Sequence, residues 1–174
     1  MVRIQTTWGN LARRGFVDTS AAERILSGWD LDGAEEDLVD LLAAAADPDL
    51  ALSGLDRLAE KVPNLPSRLA ASPVLARQLI MVLGGSIRLS QHLLAHPGHL
   101  DLLDGELART SATQLRRDLL AAVAADSEAA VPVAGELSGD PLRIAYRGAL
   151  LRIAARDLTA PEPIEAMDGI ADEL

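Results

Sequence analysis

Three histidines, His92, His96 and His99, are the residues whose type and spacing come nearest to a reactive or metal-binding set. His92 and His96 stand four apart, the spacing at which two imidazoles share a helix face and can hold zinc. Leu93, Leu94 and Ala95 lie between them, so the glutamate that serves as base in a zinc-protease helix is absent, and His99 lies beyond Pro97. The favoured reading is a helix end carrying polar histidines, with no metal. Gly84-Gly85-Ser86 has the composition of a phosphate loop but neither the G-x-G-x-x-G nor the Walker spacing, and what precedes it reads as helix, not strand. A helix C-terminus followed by an N-cap accounts for it more simply. No serine lies in a nucleophile signature, so no nucleophile–histidine–acid set can be assembled.

The arginines near the C-terminal end form the other polar pattern. Arg143 and Arg147 are one turn apart, Arg152 and Arg156 form a second such pair, and the offset between the pairs is roughly half a turn. One pair can face solvent while the other meets a neighbouring domain or an anionic ligand. The plainer alternative is that all four lie along the surface and pair with the abundant Asp and Glu.

The elements that must carry these groups are helical. Of 174 residues, 49% are apolar, chiefly Leu and Ala, with one Phe, one Tyr and two Trp. Leu and Ala favour helices, whereas strands draw on β-branched and aromatic residues. A chain of this length buries roughly 70% of its unfolded surface, enough for one core. The formal charge of −10 leaves no cationic surplus for phosphate backbones, so nucleic acid is not expected as a partner. The chain has no cysteine, which excludes disulfides and thiolate metal sites. Neither a signal-peptide core nor an apolar run of roughly 20 residues is present, so no membrane is expected and a cytoplasmic location is.

Residues 1–18 lack a period and are expected to be partly mobile; residues 19–174 read as a single helical domain. Ser20 and Glu23 have capping-box spacing, as do Ser111 and Gln114. Asp32-Gly33-Ala34-Glu35 opens a helix carrying Leu38, Leu41 and Leu42; Asp47-Pro48 opens another, ended by Pro63. Ser72-Pro73 precedes Val74 to Leu83, which is apolar around most of its circumference and reads as a buried central helix. Ser86 caps the next, which His96-Pro97 halts. A loop spans 126–139. Asp140-Pro141 then opens the longest helix, with Leu142, Ala145, Tyr146, Ala149, Leu150, Ile153 and Ala154 as its apolar stripe, and a last helix carries Ile164, Met167 and Ile170. No strand alternation occurs. The expected fold is an all-α, irregular bundle of about six to eight helices with no sheet.

Two blocks carry a resemblance. Val82-Leu83-Gly84-Gly85-Ser86, continuing to His96-Pro97, resembles the "V-L-x-x-S" and "L-x-x-H-P" elements of bacterial glutamine synthetase adenylyltransferases/deadenylases. Leu142 to Leu158 is similar to that family's "L-R-x-x-R-R-R-x-x-x-R-I-A-x-x-D-L" helix, with Tyr146-Arg147-Gly148 where the family has three consecutive basic residues. The resemblance covers roughly 72–174, and the usage of Ala, Leu, Asp and Arg fits a high-GC bacterium. It implies the N-terminal helical part of an enzyme with two nucleotidyltransferase domains. One domain moves AMP from ATP to a tyrosine of glutamine synthetase, and the other removes it by phosphorolysis, both with Mg²⁺ on paired aspartates. The family's "G-x-G-K-L-G-G" and "S-D-x-D" signatures are absent here and on family spacing would begin beyond Leu174, so no catalytic, cofactor-binding or metal residue carries over. ATP and Mg²⁺ belong to the full-length enzyme and none is expected in this segment. The implied partners are the downstream nucleotidyltransferase domains, glutamine synthetase and a PII-type signal protein. Arg143, Arg147 and Arg152 are the candidate interface. The alternative is a standalone helical adaptor without enzymatic activity.

Overall fold

A computed structural model describes residues 8–29, 35–135 and 139–161. The last helix expected around Ile164, the Asp32 cap and part of the 126–139 loop lie outside the described residues. Among the described residues there are nine α-helices, one 3-10 helix and no strand. The all-α expectation is met, with more helices than expected because three are too short to show a period. These are α1 (Trp8–Arg13), α5 (Leu65–Ala71) and the 3-10 helix (Pro97–Leu103). The chain groups into two compact units, 1–105 and 106–174.

In the first unit the remaining helices are α2 (Thr19–Gly28), α3 (Glu35–Ala43), α4 (Pro48–Ala59), α6 (Pro73–Gly85) and α7 (Ile87–Ala95). As its apolar circumference predicts, α6 is central: α3, α4, α5, α7 and the 3-10 helix all pack on it. Leu75, Leu79, Ile80, Val82 and Leu83 are fully buried along it. Its closest approach is to the corner between α3 and α4. A Cβ placed at Gly84 would stand 2.8 Å from the Ala45 Cβ and 2.9 Å from the Asp47 carbonyl oxygen. One at Gly54 would stand 3.2 Å from Leu83. Small residues on both helices thus set the axis separation.

The caps show how local chemistry starts each helix. Asp47, Ser72 and Ser86 accept from the N–H of Leu50, Leu75 and Leu89, as expected. Ser86 also ends α6, its N–H donating to the Val82 carbonyl, so one residue closes one helix and opens the next. For α2 the expectation fails. The cap is Asp18, whose carboxylate accepts from the Ala21 N–H and from the Ser20 hydroxyl, and these donors hold its pKa below the usual value. Ser20 lies inside the helix, because an ionised carboxylate is the stronger acceptor. The short α1 is anchored from outside itself. Leu11 and Phe16 are buried, and the Asp49 carboxylate at the start of α4 accepts from the N–H groups of Val17 and Asp18 at 2.7 and 3.1 Å. Arg14 reaches Asp40 of α3 at 2.9 Å.

The second unit pairs α8 (Ala112–Ala122) with α9 (Gly139–Thr159). Ser111 caps α8 through the Gln114 N–H. The Gln114 side chain donates to Asp118 and accepts from Arg117 instead of reaching back, so only half the capping box forms. After α8, Ala124 takes a left-handed backbone (φ 54) and the Ala125 N–H donates to the Leu120 carbonyl. This closure ordinarily uses glycine. The Gly135 N–H returns to the Val123 carbonyl at 2.8 Å, folding the connecting loop onto the end of α8.

Two substitutions probe these features in opposite directions. Gly84→Ala should gain helix propensity yet lose about 1–2 kcal/mol net, because its methyl meets backbone that cannot move independently. An unchanged or raised urea midpoint would show that the α3–α4 corner yields. Ala124→Gly should raise stability by about 0.5–1 kcal/mol, the relief of left-handed strain exceeding the entropy glycine adds to the unfolded chain. Loss of stability in urea unfolding would refute that reading.

Candidate functional site

The arginines of interest all lie on α9, whose start Asp140-Pro141 sets as expected: Asp140 is in the first turn, favourable to the helix dipole. Arg143 is exposed, pairs with Asp140 at 3.1 Å and donates through Nε to the Gly139 carbonyl. Both partners are largely in water, so the pair contributes little and leaves the guanidinium available. Arg147 lies one turn on and is exposed as well. Arg152 is half-buried, and Arg156 is half-buried and engaged. At about 100° per residue, Arg152 points away from the Arg143–Arg147 side. The helix brings Arg143 and Arg147 together and separates Arg152 from them.

The apolar stripe of α9 also differs from expectation. Leu142 and Tyr146 are 42% and 45% exposed, while Gly148, Leu151, Ile153 and Ala155 are buried. Gly148, Leu151 and Ala155 define a stripe on nearly the opposite side of the helix from the expected one, from which Ile153 alone is buried. Apolar residues ring α9 at 144, 145, 149, 150, 151, 153, 154 and 155, so periodicity alone does not select a face. The N-terminal half of α9 therefore presents Leu142, Arg143, Tyr146 and Arg147 together: two apolar side chains interleaved with two cations. Sequence reading found the arginines and misplaced their apolar neighbours. Such a surface suits a partner with an apolar centre and acidic edges.

The histidines converge in the first unit. His92 lies at the helix end as expected but is buried, and its Nε2 lies 3.0 Å from His99 Nδ1. The His96 ring is 4.9 Å from His92 and 5.9 Å from His99. Among the described residues no group of three or more His, Asp or Glu side chains is placed to hold a metal. Gly84-Gly85-Ser86 is the helix-to-helix junction described above, and the close approach at Gly84 accounts for its first glycine. No helix among the described residues is long and apolar enough to cross a membrane.

Comparison with known proteins gives these surfaces a context. No protein-family model and no solved structure matches the chain. The bifunctional glutamine synthetase adenylyltransferase/adenylyl-removing enzyme of Streptomyces coelicolor is 40% identical over 168 residues, which is 90% of this chain and 15% of that protein. The enzymes of the same name from Leifsonia xyli and Mycobacterium tuberculosis are each 36% identical, over 100% and 95% of this chain and 18% and 17% of their own length. The chain thus spans under a fifth of the relatives it matches, while they match nearly all of it. It is a homologue of one segment of the bifunctional glutamine synthetase adenylyltransferase/adenylyl-removing enzymes of actinobacteria.

Proposed function

We propose that the chain is the N-terminal helical segment of an enzyme that adenylylates and deadenylylates a tyrosine of glutamine synthetase, and that it acts there as a non-catalytic support. The observation that carries this reading is the match of 90–100% of the chain to 15–18% of proteins bearing that name. ATP and Mg²⁺ are used by the nucleotidyltransferase domains of the whole enzyme, in the cytoplasm, and glutamine synthetase and a PII-type signal protein are its partners. The exposed half of α9, with Arg143 and Arg147 flanked by Leu142 and Tyr146, packs against the nucleotidyltransferase domain that follows. Arg152, half-buried on the opposite side of the helix, lies outside this face. A cationic, partly apolar face of this kind orients an acidic neighbour more than it adds raw affinity.

The test is the double substitution Arg143→Glu, Arg147→Glu in the full-length enzyme. Removal of AMP from adenylylated glutamine synthetase should slow by about tenfold, equivalent to roughly 1.4 kcal/mol in the barrier. The 174-residue chain with the same changes should keep its helical circular dichroism and thermal midpoint. Full activity in the enzyme would remove α9 from the interface; unfolding of the segment would make the arginines structural.

A further inference from the structure

The function proposed above makes no use of the histidines, yet they form the most concentrated titratable cluster among the described residues of the first unit. His92 sits on the last turn of α7, His96 caps that helix, and His99 lies in the 3-10 helix that follows. The chain reverses at Pro97, and this reversal brings the His99 ring back against His92, with centroids 4.9 Å apart. Leu100 and Leu103 of the same 3-10 helix are fully buried, so this short strap closes over part of the core. Side-chain links hold it and the residues at its end: His92 to His99, Arg68 of α5 to Asp101 at 2.9 Å, Ser72 to Asp104 at 3.2 Å, and Gln78 of α6 to the Gly105 carbonyl.

We propose that the His92–His99 pair is a proton-sensitive clasp, holding the strap Pro97–Leu103 on the end of α7 near neutral pH and releasing it in mild acid. Two neutral imidazoles form this bond because one ring N–H donates to the other ring's lone pair. When both rings carry a proton, both nitrogens are donors and the bond is lost. His92 is 2% exposed, so water does not solvate the charge that would replace it. A charge on His96, 4.9 Å from His92, adds repulsion.

No acid bears on His99 to offset this. The elements packed on α7 are α4, α6 and the strap. Their charged residues are Asp49, Asp56 and Arg57 on α4, Arg77 on α6 and Asp101 on the strap, with Arg88 on α7 itself. None of them bears on His99. Burial, and then the charge of His96, hold its pKa below the ordinary 6.5. Asp101 and Asp104 are turned to Arg68. The sign follows from linkage. Below the ordinary histidine value the released state binds protons that the clasped state does not, so the clasp is at full strength above about pH 6.5 and weakens as pH falls from there.

Amide hydrogen exchange of the 174-residue chain, followed by NMR at about pH 7.5 and about pH 5.5, tests the clasp directly. After correction for intrinsic exchange, protection at the His99 and Asp104 amides should fall about tenfold more than protection at the Leu79 and Leu83 amides of α6. His99→Asn and His92→Gln each place an amide where the bonding ring nitrogen was and cannot take a proton. In either variant that is folded at pH 7.5, the strap should follow α6 at both pH values. A wild-type strap that already follows α6 overturns the proposal, as does a folded variant that keeps the tenfold difference. If neither variant folds, the wild-type comparison is decisive by itself.

Discussion

The first unit depends on a place where no side chain can stand. Gly84 at the end of α6 meets the Ala45 methyl and the Asp47 carbonyl at distances that leave no room for even one carbon. That contact fixes how deeply α6 sits against the α3–α4 corner, and α6 is the helix on which the others pack. Because Ser86 opens α7 immediately after, the direction of α7 is set by the same corner. The position of the histidine cluster at the far end of α7 follows in turn. A core built from Leu and Ala has few bulky shapes to lock it, so close backbone approach takes over the task of specifying a single packing.

What could be read from sequence divides along physical lines. Helix starts at Asp47, Ser72 and Ser86 were legible because a cap and its acceptor geometry involve only three or four successive residues. The buried character of α6 was legible because it is apolar nearly all round. By contrast, α1 escapes notice because what fixes it is remote: the Asp49 carboxylate lies more than thirty positions away from the amides it binds. The burial of His92 is likewise invisible locally, since its partner returns only after the reversal at Pro97. On α9 the surplus of Leu and Ala left the face undecided, and the outcome reversed the expected places of Leu142 and Leu151.

The resemblance stated from two blocks agrees with the relatives found, and the structure gives each block a physical reason. In the first block Gly84 is a steric requirement and Ser86 a double cap, neither of them chemistry on a ligand. In the second, Gly148 occupies the buried stripe of α9. The candidate site is therefore a surface and not a cavity: arginines found by spacing, with apolar companions that only the three-dimensional register reveals.

Apolar burial is shared unequally. Among the described residues, thirteen Leu and Ile side chains less than 2% exposed, from Leu11 to Leu103, belong to the first unit, against Leu151 in the second. Among the described residues the second unit has Val123, Ala125, Gly148, Leu151, Ile153 and Ala155, and α8 has no buried residue at all. The smaller reserve of α8 and α9 makes them the part of the chain most responsive to mass action. A protein surface that binds only their ordered form raises their stability by RT ln(1 + [L]/Kd), about 2.7 kcal/mol at a hundredfold excess over Kd. Occupancy of the α9 face would then be felt as the ordering of α8 and α9, so that this end of the chain reports on whether its neighbour is in place.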